Sequence, residues 1–108
     1  MKNLIFVLTL TLIGCGNSKA DHNEALIKNT IDDIRLGWEN GDGAAFRKHF
    51  LDWDGARYFE GGGQNEGLED LIVNHVEPEA ELGLGLAFDN IQTHFESNFA
   101  WAVVDTEI

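Results

Sequence analysis

The chain has 108 residues, with 7 Lys and Arg against 19 Asp and Glu and a formal net charge of −12. That length suits one small domain, and a chain that is 44% hydrophobic and 10% aromatic has enough apolar material for a core, which excludes wholesale disorder. The acidity excludes duplex nucleic acid as a partner and a polybasic hold on anionic lipid, while a single Cys excludes an internal disulfide framework and a thiolate zinc cluster.

Lys2 precedes an apolar run from Leu4 to Ile13 that is interrupted only by threonines. Roughly twenty apolar residues are needed to cross a bilayer, so a run this short suits the hydrophobic segment of a signal peptide. Leu12-Ile13-Gly14-Cys15 follows, with branched apolar residues, a small residue and then the Cys. It resembles the lipobox of bacterial lipoproteins. The resemblance implies a signal peptide over 1–14, cleavage before Cys15, and lipidation of the Cys15 thiol. Two or three acyl chains anchor a protein stably where one is marginal. Gly16 in place of an Asp implies, by the sorting rule of such lipoproteins, the outer membrane of a bacterial envelope rather than the inner. The small polar residues after Cys15 read as a flexible tether over 15–21, which leaves 22–108 for the domain.

Asp21-His22-Asn23-Glu24 has the form of a capping box. Leu26, Ile27, Thr30, Ile31, Ile34 and Trp38 then recur at three- and four-residue spacing, which predicts a helix over 22–40 with Gly41 as its stop. Asp42 caps a second, short helix to Phe50, with Ala45, Phe46, His49 and Phe50 on its inner side. After the turn Asp52–Gly55, residues 56–60 read as a strand with Ala56, Tyr58 and Glu60 on one face. Gly61-Gly62-Gly63 turns the backbone, and Asn65 caps a third helix in which Leu68, Leu71, Ile72, His75 and Val76 share a face, closed by Pro78. From Leu84 the period falls to two. One strand is predicted from Leu84 to Phe95, broken near Asp89-Asn90, and another from Phe99 to Ile108 after a Ser97-Asn98 turn. Helices followed by strands define an α+β domain, with the helices packed on one face of a curved antiparallel sheet. Ile108 lies at the end of a strand, so the expectation is an incomplete domain, or one completed by a partner such as a second copy.

Gly37-Trp38-x-x-Gly41-Asp42, Phe46-x-x-x-Phe50, Tyr58-Phe59-Glu60-Gly61-Gly62, His75-Val76-Glu77-Pro78-Glu79 and Ala100-Trp101-Ala102, in that order, resemble the NTF2-like superfamily, in its SnoaL-like or DUF4440-type bacterial branch. The resemblance implies a cone of three helices on a curved sheet with an apolar pocket at its open end. Members carry about two more strands than are seen here. Together with the lipobox, it implies a lipid-anchored envelope protein whose domain binds a small apolar ligand or a protein partner. The alternative is a SnoaL-like isomerase, dehydratase or cyclase.

For that alternative, Glu60 and His75 form an acid–base pair, with Tyr58 on the same strand face as Glu60; an apolar pocket tunes such groups for proton transfer. Trp38, Phe46, Phe50, Phe88 and Trp101 are the expected pocket walls. His75 and Glu79 have the i, i+4 spacing of two metal ligands on a helix, but a helix broken at Pro78 would separate them. No metal or other cofactor is therefore expected. The Gly61–Gly67 stretch lacks the Gly-Lys-Ser/Thr ending of a phosphate loop and reads as a turn.

Overall fold

The computed structural model describes residues 18–108. The predicted signal segment, Cys15 and the first part of the predicted tether lie outside the described residues. The order of elements is α1 (Ser18–Asn40), α2 (Gly43–His49), β1 (Arg57–Glu60), β2 (Gly63–Glu66), α3 (Leu68–Leu71), a π-helical turn (Ile72–Val76), α4 (Glu77–Glu81), β3 (Ala87–Glu96) and β4 (Phe99–Glu107). The class is α+β, as the periodicity predicts. None of the described helices is long and apolar enough to cross a membrane.

α1 includes Ser18 to Ala20, so part of the predicted tether is helical and Asp21 lies in the first turn instead of capping it. Glu24 pairs with Lys28 at 2.7 Å, one turn ahead, and not with the backbone of a cap. The other end follows the sequence signal closely. Gly41 takes φ +64°, its N–H donates to the Trp38 carbonyl at 3.1 Å, and the Asp42 N–H donates to the Gly37 carbonyl at 2.7 Å. This double closure satisfies the last carbonyls of α1. Asp42 then starts α2 at once, its carboxylate accepting from the Ala44 N–H at 2.9 Å. The reversal folds α2 tightly against α1. A Cβ on Gly37 would lie 2.6 Å from the Ala45 Cβ, and one on Gly43 would lie 2.7 Å from the Ile72 Cγ2.

Two features of the middle of the chain depart from expectation. Gly61 and Gly62, with φ of +52° and +86°, make a two-residue hairpin loop that joins β1 to a strand the sequence did not signal. Positive φ at both loop residues matches the right-handed twist of a hairpin. Tyr58 thereby pairs with Asn65, and Glu60 with Gly63. Asn65 is therefore a strand residue and not a helix cap; Gly67 stands at the start of α3 without a side-chain cap.

Pro78 does not close the helix. α3, the π turn and α4 run on as one rod from Leu68 to Glu81. In an ordinary helix the proline ring collides with the carbonyl four residues back. Here the turn just before it is widened, and the Glu77 N–H donates to the Ile72 carbonyl, five residues back. The ring is accommodated, and the rod continues with the His75 and Glu79 faces aligned.

The core lies where these pieces meet. Phe46, Leu68, Leu71, Ile72 and Val76 are buried, and Ile34, Trp38, Ala45, Phe50 and Tyr58 pack around them. Phe46 stacks on Phe50 at 5.1 Å and meets the Trp38 edge at 5.6 Å. The third predicted apolar face is thus confirmed position by position, apart from His75, which is half-buried.

β3 and β4 form a second antiparallel hairpin, separate from β1–β2. The predicted break at Asp89-Asn90 is a bulge within one strand, with Asn90 at φ +50°. β3 begins at Ala87; Leu84 and Leu86, predicted as strand, instead lie in the connection from α4. This hairpin is tied to α1 through Glu39 and Arg35: the Leu86 N–H donates to Glu39 Oε1 at 2.6 Å, and Arg35 bridges Glu39 and Asp32 at 2.9 and 2.8 Å. Its inner face carries Phe88, Thr93, Ala102 and Val104, while Phe99, Trp101 and Val103 face outward and are about half exposed.

Candidate functional site

The polar groups of interest come from four elements. Trp38 stands near the end of α1, Glu60 ends β1, Asn65 lies on β2, and His75 and Glu79 sit one turn apart on the helical rod. Hairpin pairing brings Asn65 beside β1, and the π turn keeps His75 and Glu79 on one side. The five side chains converge.

His75 Nε2 lies 2.7 Å from Glu60 Oε2 and 3.2 Å from Glu79 Oε1. Its other nitrogen, Nδ1, is 2.9 Å from Asn65 Oδ1. Asn65 is oriented by Asp70, whose backbone carbonyl and carboxylate both accept from its Nδ2 at 3.4 Å. Flipping the amide would face its oxygen toward those two acceptors, so Oδ1 belongs on His75. It follows that Nδ1 carries a proton and donates it to Asn65. Asp70 is itself held in place. Hydrogen bonds from the Asn74 side chain and then the Glu66 N–H, with a lesser one from Asn65, hold its carboxyl below its ordinary value against the opposing effect of burial. On the far side, the Trp38 Nε1–H donates to Glu79 Oε2 at 2.7 Å, and the Trp38 ring meets the His75 ring edge-on at 5.7 Å. No Lys or Arg pairs with Glu60 or Glu79 among the described residues.

Two hollows open from this cluster. One, of about 290 Å³, is walled by Trp38, Phe50, Tyr58, Phe59 and Leu71, with Arg57, Glu60, Asn65 and His75 as its polar groups. The other, of about 410 Å³, is walled by Trp38, Phe59, Leu84, Leu86 and Phe88, with Glu60 and Glu79. Trp38, Phe59 and Glu60 belong to both. A larger hollow of about 470 Å³ between α1 and α2 is lined by Asp33, Asn40, Asp42 and Lys48 among others, and these groups converge on nothing comparable.

Of the residues singled out from sequence, Glu60 and His75 are in direct contact, and Tyr58 lines the same hollow. The Tyr58 hydroxyl faces away from them, donating to the Leu51 carbonyl at 3.4 Å. Trp38, Phe50 and Phe88 line the hollows. Phe46 does not; it is completely buried beneath Trp38 and Phe50 as core. Trp101 does not line them either. It lies on the outer face of the second hairpin, stacked on its cross-strand neighbour His94 at 4.1 Å. Asn65 and Asp70 escaped sequence reasoning because their roles depend on a hairpin and on a helix start that carry weak local signals. Glu79 had a signal in its i, i+4 spacing from His75, outweighed there by Pro78.

In comparisons with protein-family models, with curated proteins and with solved structures, nothing matches this chain.

Proposed function

We propose that this is a lipid-anchored protein of the bacterial cell envelope whose NTF2-like domain binds a small, largely apolar molecule by one polar end. The observation that supports the binding reading most is the sharing of Trp38 and Glu60 by two apolar-walled hollows, with His75 set between the carboxylates. An apolar wall with a few converging polar groups is the usual form of a small-molecule site. The carboxylates favour a ligand whose polar end is a cation or a hydrogen-bond donor. Anchoring rests on Lys2, the short apolar run and Leu12–Cys15.

Trp53 and Trp101 are about half exposed, so a Trp53→Phe/Trp101→Phe protein leaves Trp38 as the reporter. Small amphipathic amines and neutral apolar compounds titrated into it are expected to shift Trp38 emission, with Glu60→Gln weakening the amines selectively. Equal binding of every compound to wild type and Glu60→Gln would show that the cluster does not read the ligand. For the anchor, Cys15→Ser is expected to abolish incorporation of labelled palmitate and release the protein from membranes; retention of both refutes lipidation.

A second reading, an acid–base enzyme, is favoured by one contact. His75 Nε2 faces Glu60 at 2.7 Å while Asn65 holds the ring, so a proton taken up at Nε2 would be stabilised by the carboxylate. Under that reading His75→Ala abolishes turnover of a bound compound while its affinity persists. Unchanged affinity with no turnover by wild type leaves the binding reading standing.

A further inference from the structure

We infer that Glu60, His75 and Glu79 form a binding site for one divalent transition-metal ion of the zinc type. The three available ligand atoms all lie within 4.8 Å of one another, one from a strand end and two from successive turns of a helix. A tetrahedral zinc ion with ligands at about 2.0–2.1 Å sets them about 3.3 Å apart. The distance from His75 Nε2 to Glu79 Oε1 is 3.2 Å, so that pair already stands at coordination spacing. The distance to Glu60 Oε2 is 2.7 Å, and the Glu60 side chain, 44% exposed, is free to withdraw by the remaining about 0.6 Å.

The outer contacts present the right atoms. Asn65 Oδ1 accepts a hydrogen bond from Nδ1–H, and with the proton kept on Nδ1 a neutral His75 has its lone pair on Nε2, between two carboxylate oxygens. A ligating imidazole characteristically has its second nitrogen engaged in this way. Trp38 occupies Glu79 Oε2 and leaves Oε1 for the ion. In that protonation state the three groups carry two negative charges with no Lys or Arg paired to Glu60 or Glu79 among the described residues, and a dication balances them. A nitrogen ligand favours zinc and its neighbours over magnesium or calcium, which select all-oxygen sets. With three protein ligands, the fourth position opens toward the apolar hollows, the arrangement of sites that bind or activate a ligand on the metal.

The test uses the full-length chain in detergent, stripped with chelator and titrated with zinc by calorimetry, and with cobalt by visible absorption. One ion per chain is expected, with a cobalt spectrum of tetrahedral intensity. Glu79→Gln, which keeps an acceptor for Trp38 and the shape of the side chain, is expected to lose the stoichiometric site, as is His75→Ala. Asn65→Ala keeps the stoichiometry and weakens affinity by about tenfold or more, as expected of a positioning residue. Simultaneous replacement of His22, His49 and His94 by Ala leaves binding unchanged. Absence of zinc binding by wild type, or binding that survives Glu79→Gln, overturns the inference. An apolar probe that still shifts Trp38 emission in the metal-free chain shows such a failure to concern the metal alone, because the hollows do not need the ion.

Discussion

Replacing Gly37 by Ala sets two physical effects against each other, and the fold predicts which prevails. In an exposed helix the change stabilises by about 1 kcal/mol, because alanine loses less backbone freedom. Here the added methyl would lie 2.6 Å from the Ala45 Cβ and 3.1 Å from the Asp42 carbonyl oxygen. Carbon atoms settle at about 3.5–4.0 Å, so the crossing of α1 and α2 must open by roughly 1 Å. Neither contact can swing aside: one is a methyl fixed to α2, the other backbone. Overpacking of this kind costs about 1–3 kcal/mol, which leaves a net loss of about 0–2 kcal/mol after the helix gain. The decisive measurement is a double-mutant cycle with Ala45→Gly, by urea unfolding of all four proteins. Removing the Ala45 methyl takes away the closer of the two contacts and leaves the one with the Asp42 carbonyl, so Gly37→Ala should cost clearly less in that background, with a coupling of about 1–3 kcal/mol. Because Trp38 is the next residue, the single variant should also weaken the Trp38–Glu79 hydrogen bond and change Trp38 emission. A Gly37→Ala protein stabilised by about 1 kcal/mol with no coupling to Ala45 would refute the packing argument.

Three further outcomes follow from the same geometry. Asp70 has a folded-state pKa held below its unfolded value, so its stabilising effect is present at neutral pH and is lost as pH falls through and below about 4. Asp70→Asn should therefore lower the urea midpoint at pH 7 and flatten its fall on acidification; parallel profiles for variant and wild type would contradict this. At the first hairpin loop, Gly62→Ala should cost about 1 kcal/mol because of its φ of +86°, whereas Gly61→Asn, at φ +52°, should be nearly neutral. Equal unfolding midpoints for the two would argue against the two-residue loop. Phe46→Ala should remove about 3–5 kcal/mol, since the side chain is wholly buried between Trp38 and Phe50. A loss below about 1 kcal/mol in denaturant unfolding would mean the core does not centre there.

Local chemistry was enough to reveal much of this molecule. The 3.6-residue stripe through Leu68, Leu71, Ile72 and Val76 is the same stripe that is buried. Gly41 and Asp42 mark the end of one helix and the start of the next, because the groups that close them are neighbours in the chain. The α+β class follows from the change of period after Pro78. The candidate site was half legible: Glu60 and His75 stood out as chemically able residues, but nothing local says that a strand end and a helix turn will touch. Only tertiary structure decides that the Gly-rich stretch is a hairpin, which turns Asn65 from a cap into the partner of His75. Only the packed rod shows that a widened turn carries the helix past Pro78 and brings Glu79 into the same cluster. Phe46 and Trp101 separate for a related reason. Both are large and aromatic, and composition gives each the same drive toward burial, but one falls at the crossing of α1, α2 and the rod and the other on the outer face of a two-stranded sheet. Periodicity assigns a side chain to a face; what covers that face depends on contacts between residues far apart in the chain.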